Sequence, residues 1–206
     1  MNLVVASTNA GKIAEVRRLL GARGVQVRSM AEAGLDPGVD LPEEAETFAG
    51  NALSKAQALA ELAAPDDWCL GDDSGLQVDA LDGAPGVYSA RWAGVDAKGP
   101  ERDRANNAKL LAALDGLPAE RRGARFVCAM ALVEPGRRTL TARGVCAGRI
   151  LSAPRGRSGF GYDPLFVPAG FDRTMAELGM EEKNRISHRG RALRALVEAI
   201  DRAGLA

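Results

Sequence analysis

Histidine is all but missing from this chain: His188 is the only one among 206 residues. A zinc site built from several imidazoles is thereby excluded, and a Ser-His-Asp triad would have a single residue to draw on. Cysteine is scarce too. Cys69, Cys128 and Cys146 lie far apart, form no C-x-x-C pair and sit among apolar neighbours as small hydrophobes do, which points to a reducing cytoplasm. Aromatic residues make up only 4% of the chain, and 27 basic residues face 27 acidic ones, so no overall field draws the protein to nucleic acid or to an anionic membrane. Long apolar runs are absent as well: Leu3-Val4-Val5-Ala6 turns polar at Ser7, too short for a membrane span or a signal peptide. A soluble, cytoplasmic protein of one domain, residues 1–206, is expected, with no nucleic-acid or membrane partner. Any phosphate chemistry has to use a local cluster of cations, and any metal chemistry has to use carboxylates.

What is present is a regular alternation of patterns. The apolar run at 3–6 leads through Ser7-Thr8-Asn9-Ala10-Gly11-Lys12 into Ile13, Val16, Leu19 and Leu20 at helical spacing, and Val25-Gln26-Val27 alternates like a strand. A β-α-β opening and a parallel sheet component follow. Residues 34–46 read as a loop, with Thr47 capping a helix that carries Phe48, Ala52, Leu59 and Leu62. Trp68-Cys69-Leu70 and Leu76-Gln77-Val78 read as two short strands on either side of an acidic turn, Asp72-Asp73-Ser74-Gly75. A polar helix is predicted over 100–114, and two β-rich runs, 125–133 and 138–150, flank a Pro135-Gly136 hairpin signal. A glycine-rich loop at 155–164 leads to Leu165-Phe166-Val167. Thr174-Met175-Ala176-Glu177 has the form of a capping box, and Ser187 opens a last helix.

Four segments carry residue types suited to chemistry. Ser7 to Lys12 joins a strand to a helix, where free backbone N–H groups and a lysine suit an anion; it is not a Walker loop, and a plain helix N-cap has the same look. Asp72 and Asp73 place two carboxylates together, which suits a divalent cation shared with substrate phosphates, and equally an Asx-type turn. Phe160-Gly161-Tyr162-Asp163 offers aromatics and glycine for a flat ligand, or an ordinary anchored loop. Glu182 to Arg189 gathers cations before the final helix, as an anion site or a solvated linker would. Lysine is rare, with only Lys12, Lys55, Lys98, Lys109 and Lys183, and three of the five fall in or near these segments.

Taken in order, S-T-N-A-G-K at 7–12, T-F-A-G-N-A-L-S-K-A at 47–56, D-D-S-G-L at 72–76, G-A-P-G-V-Y-S-A-R at 83–91, F-G-Y-D-P at 160–164 and E-K-N-R-I-S-H-R-G at 182–190 resemble the inosine/xanthosine triphosphate pyrophosphatase, or Ham1-like, family. The resemblance spans nearly the whole chain. It implies an α/β fold with a long mixed β-sheet flanked by helices, two lobes with a central substrate cleft, and a homodimer. It also implies Mg²⁺-assisted hydrolysis of ITP, dITP and XTP to the monophosphate and pyrophosphate.

Carried over by position, Ser7, Thr8, Asn9, Ala10, Gly11 and Lys12 hold the triphosphate, with Lys55 nearby. Asp73 acts on the water and binds metal, Asp72 supports the metal, and Ser74 touches substrate. Phe160, Gly161, Tyr162 and Asp163 line the nucleoside site, while Lys183, His188 and Arg189 recognise the purine or its phosphates. The family often has a Glu-Glu-Thr-Gly-x-Thr-Phe run with a metal-binding glutamate. Here Pro42-Glu43-Glu44-Ala45-Glu46-Thr47-Phe48 is shorter and lacks the Thr-Gly, which leaves Glu43 and Glu44 both open for that role. Two other readings stay open on the residues alone: a pyrophosphatase for modified pyrimidine nucleotides, and a non-enzymatic nucleotide-binding module.

Overall fold

The computed structural model describes residues 1–134, 136 and 138–204. Six strands, β1 (Asn2–Val5), β2 (Gln26–Ser29), β3 (Trp68–Val78), β4 (Gly123–Val133), β5 (Thr139–Ile150) and β6 (Phe166–Pro168), form one sheet in the order β2-β1-β3-β4-β5-β6. Strand β1 runs parallel to both β2 and β3, whereas β6 is antiparallel to β5, so the sheet is mixed. The principal helices are α1 (Ala10–Gly21), α2 (Phe48–Leu62), α3 (Gly99–Ala113), α4 (Met180–Ile186) and α5 (His188–Arg202).

The chain divides into two compact units: residues 1–73, 128–144 and from 189 onward in the first, and 74–127 with 145–188 in the second. In the first unit, strand alternation sends Leu3 and Val5 of β1 to one face, where they meet Ile13, Val16 and Leu20 of α1 and Leu193, Leu196 and Ile200 of α5. Val4 and Ala6 point the other way, onto Leu59 of α2, Met30 and Cys69. Both faces of β1 are covered, which is why its sequence is an unbroken apolar run. The second unit packs Leu76, Val78, Leu110, Leu114, Tyr162, Leu165 and Phe166 into its own core, with the Phe126 and Phe166 rings 4.7 Å apart.

Several elements depart from expectation. The acidic turn does not exist: β3 runs unbroken through Asp72, Asp73, Ser74 and Gly75, eleven residues in place of two short strands. The capping box at 174–177 makes only half of its bonds. Glu177 does accept from the Thr174 N–H at 2.7 Å, but the Thr174 hydroxyl donates to the Arg155 carbonyl, and the segment is a turn with no helix. Residues 182–186, read as a run before the last helix, belong to α4. Strands β4 and β5 are neighbours as expected, while Pro135 and Arg137 of the hairpin signal lie outside the described residues.

One contact fixes where α2 lies. Gly71 is buried in β3, and a Cβ there would stand 2.1 Å from the Ala52 carbonyl oxygen and 2.8 Å from the Ala56 nitrogen. The backbone of α2 therefore rests directly on the strand, and only glycine leaves room. Gly71→Ala is expected to cost about 1–3 kcal/mol of stability, in the range of overpacked cores. An unchanged thermal unfolding midpoint would contradict this close approach.

Candidate active site

Because Asp72 and Asp73 are consecutive in a strand, their side chains leave opposite faces of the sheet. Two carboxylates at one point, as the sequence led us to expect, are thus ruled out by the pleat itself. Each acid has its own set of partners.

Asp72 shares the face of Leu70 and Cys128 with α1 and α5. Its Oδ1 accepts from Lys12 Nζ at 2.7 Å, and its Oδ2 accepts from Arg189 Nε at 3.4 Å, with Cys128 Sγ at 4.0 Å. Arg189 is itself buried, and its Nη1 donates to Glu15 Oε2 at 3.3 Å. Burial works to raise the Asp72 carboxyl, yet Lys12 and Arg189 outweigh it and hold the group well below the usual carboxylate range. Burial likewise disfavours the charge on Arg189, but Asp72 and Glu15 restore it and raise its basicity. Cys128 is pushed up to about 12 by burial and by Asp72, so it stays a thiol.

Asp73 faces α2. Its Oδ1 accepts from Lys55 Nζ at 3.3 Å and its Oδ2 from Asn51 Nδ2 at 3.1 Å. Asn51 and Lys55 are one helical turn apart, so one face of α2 delivers both donors. The Lys55 ammonium also meets the Asp72 carbonyl at 3.2 Å and forms an ion pair with Glu43. Burial raises Asp73; Lys55 and Asn51 pull against that, Glu43 adds to it, and the carboxyl ends above its ordinary value. Burial lowers Lys55, but the surrounding carboxylates prevail and raise it. The two directions agree physically, since one ammonium serves several carboxylates and over-compensates none of them.

Loop and helix are tied together here. Asn51 Oδ1 accepts from the Ala45 N–H at 2.8 Å, drawing the 43–46 loop onto α2. Both open glutamates are exposed, and it is Glu43 that reaches Lys55. Glu43 and Asp73, both hard oxygen donors around one charge, match the donor type and number that Mg²⁺ takes from protein when phosphates supply the rest. Among the described residues, no group of three or more His, Cys, Asp or Glu side chains is assembled as a metal cage.

At the start of α1, Asn9 is the N-cap, and its Oδ1 accepts from Gly11 N at 2.9 Å and Lys12 N at 3.2 Å. Ser7 Oγ accepts from Asn9 N at 3.2 Å. Thr8, Asn9, Ala10 and Gly11 are exposed at this helix end. The capped helix is therefore real, and Lys12 is held by Asp72 where a plain cap would leave it solvated.

In the second unit, Asp163 Oδ2 accepts from Lys183 Nζ at 2.6 Å and from Phe160 N at 2.9 Å. The Lys183 ammonium stands 5.3 Å from the centre of the exposed Phe160 ring. Tyr162 is buried, with its hydroxyl donating to the Ser89 carbonyl at 2.9 Å. The His188 ring stacks on Phe126, centroids 4.8 Å apart and 14° from parallel. Ser74, the residue after Asp73 on β3, is half-buried.

Sequence reasoning missed Asn51 and Glu15. Asn51 left a signal, a carboxamide four residues before Lys55 on the same helix face. Glu15 left none, because its partner lies 174 residues away.

Known proteins match this chain over nearly its whole length. The sequence model of the Ham1 family matches residues 3–199. A dITP/XTP pyrophosphatase of Desulforamulus reducens is 51% identical over 203 residues, covering 98% of this chain and 96% of that protein. Among solved structures, a HAM1 protein from Coxiella burnetii matches with a TM-score of 0.86 at 38% identity, covering 98% of this chain and 99% of that one. The nucleoside-triphosphatase / dITP/XTP pyrophosphatase of Mycobacterium abscessus matches with a TM-score of 0.76 at 46% identity, over 95% and 97%.

The two acids should respond oppositely to neutralisation. Asp72→Asn takes the carboxylate away from the half-buried Lys12 and the buried Arg189 and is expected to cost about 3–5 kcal/mol. Since the folded Asp72 titrates below its unfolded value of about 3.9, its stabilisation is complete above that value and is lost as pH falls through strong acid. Urea unfolding should therefore show a constant gap between wild type and Asp72→Asn from pH 7 to pH 5 that narrows below about pH 4. A gap unchanged down to pH 2 would contradict the ion-pair reading. Asp73 titrates above its ordinary value, so its ionised form opposes folding at neutral pH, and Asp73→Asn is expected to hold or raise the thermal midpoint.

Proposed function

The chain belongs to the Ham1 family, and on that footing we propose that it hydrolyses ITP, dITP and XTP to the nucleoside monophosphate and pyrophosphate. The observation that carries this reading is Asp73, a buried carboxylate with raised affinity for a proton, set beside Lys55 and Glu43. Such a group is suited to hold a water and take its proton as the water attacks.

Water attacks the α-phosphorus in line with the bridging oxygen to the β-phosphorus. The new P–O bond forms as that bridging bond breaks, Asp73 receives the proton, and pyrophosphate departs with the electron pair. Lys12 and Lys55 stabilise the charge that gathers on the phosphates, and the N-terminus of α1 with Ser7, Thr8, Asn9, Ala10 and Gly11 receives the outer phosphates. Asp73 and Glu43 are the residues that would hold Mg²⁺, which supplies Lewis-acid neutralisation of the phosphate oxygens when bound. Glu44 is left to solvent. We assign Asp72 and Arg189 to holding Lys12 in place, because their polar groups are already engaged with one another and with Glu15 and Lys12.

The nucleoside falls to Phe160, Gly161, Tyr162 and Asp163, with Lys183 and His188 as donors to a 6-oxo purine and Ser74 in contact with substrate. A 6-amino group offers these donors no acceptor, which disfavours adenine nucleotides. The protein acts as one functional domain in the cytoplasm, as a homodimer; the three cysteines are buried and form no disulfide, and among the described residues no helix is long and apolar enough to cross a membrane.

The test is pyrophosphate release from a panel of dITP, XTP, dGTP, dATP and a modified dUTP, with Mg²⁺ and after chelation. Wild type should prefer dITP and XTP and fall silent without the cation, and Asp73→Asn should lose at least about 10²-fold in turnover. Near-wild-type turnover of Asp73→Asn, or a preference for the pyrimidine, would overturn the proposal.

A further inference from the structure

Helix α3 is the polar helix predicted over 100–114, and nothing in the reaction above uses it. Two of its polar residues hold the loop that carries Phe160. Asp103 Oδ2 accepts from the Gly161 N–H at 2.7 Å, and Asn107 Nδ2 donates to the Gly161 carbonyl at 2.9 Å. The two residues are four apart, hence on one face of the helix one turn from each other. They take both backbone polar groups of a single residue, whose φ of +61° is one that glycine adopts without strain.

The other end of the Asn107 amide, Oδ1, is buried with no hydrogen-bond partner. Its orientation is therefore set by the Gly161 carbonyl alone, and the unmet acceptor is a cost that the loop contact has to offset. Neighbouring Asn106 donates to the carbonyls of Ser89 and Ala90 at 3.3 and 3.1 Å, and Ser89 is also where the Tyr162 hydroxyl binds. One turn of α3 thus fixes the loop from two directions. Phe160, 50% exposed, is the residue this fixing leaves presented to solvent.

We propose that Asp103 and Asn107 are positioning residues for nucleoside recognition: by clamping the Gly161 peptide they hold the Phe160 ring ready to stack on a purine. The inference rests on the reading that residues 160–163 take the nucleoside. Neither side chain needs to touch substrate. A ring on an unclamped loop must be ordered at the moment of binding, and that ordering cost is what the clamp removes in advance.

The experiment compares wild type with Asp103→Ala and Asn107→Ala in three measurements: IMP binding by calorimetry, binding of inorganic tripolyphosphate, and thermal unfolding. Each variant is expected to bind IMP roughly tenfold more weakly and to raise the KM for dITP accordingly, with kcat little changed and tripolyphosphate binding unaffected. Asp103→Asn keeps an acceptor oxygen and should restore IMP affinity. Asn107→Asp, nearly the same shape, turns a carboxylate toward the carbonyl and should not; this near-isosteric pair serves if an alanine variant fails to fold. Unchanged IMP affinity in the Ala variants, or equal losses for IMP and tripolyphosphate, would overturn the clamp. A wild-type protein that binds no IMP would instead overturn the nucleoside reading itself, and the clamp with it.

Discussion

Asp72 and Asp73 are neighbours in β3, and the pleat of a strand does not let neighbours share a face. The acid that meets α1 and α5 finds Lys12 and Arg189; the acid that meets α2 finds Asn51 and Lys55. The first is stabilised as an anion far into acid, and the second is held above its ordinary value by burial and by Glu43. One dipeptide thus yields two carboxylates in opposite environments, which is the separation that acid–base chemistry needs. The arrangement holds only while α2 lies on β3, and Gly71 is what permits that contact.

Three of the five lysines are used in one way. Lys12 is paired with Asp72, Lys55 with Asp73 and Glu43, and Lys183 with Asp163. A compact ammonium held by a carboxylate in a partly buried setting stays charged and fixed in position, and it retains donor capacity for a phosphate or a base. Arginine, with a planar fork, takes the structural tasks: Arg122 binds the carbonyls of Leu114 and Leu117 beyond α3, and Arg189 spans Asp72 and Glu15.

Much of this was legible in the sequence. The β-α-β opening, the Thr47 cap and the helices at 48–62 and 99–113 followed from periodicity and capping chemistry, because those signals are local. The ordered motifs named the family and most of the candidate residues. What failed was the Asp-Asp-Ser-Gly segment, whose residue types favour turns and disfavour strands. Their propensity is overridden by partners 17 to 117 positions away, which no local window contains. Which of Glu43 and Glu44 approaches Lys55 was illegible for the same reason, since Lys55 lies on another element. At 174–177 only half of a local motif forms: Glu177 accepts from the Thr174 N–H, and the threonine hydroxyl donates to the Arg155 carbonyl.

If the two faces of β3 divide the work in this way, metal binding must follow one acid and not the other. Mn²⁺ titrated by calorimetry into wild type, Asp72→Asn and Asp73→Asn, without nucleotide and at a temperature where each is folded, separates them. Binding lost in Asp73→Asn and kept in Asp72→Asn is the expected result. Binding kept in Asp73→Asn, or lost equally in both, would contradict the division of roles between the two acids.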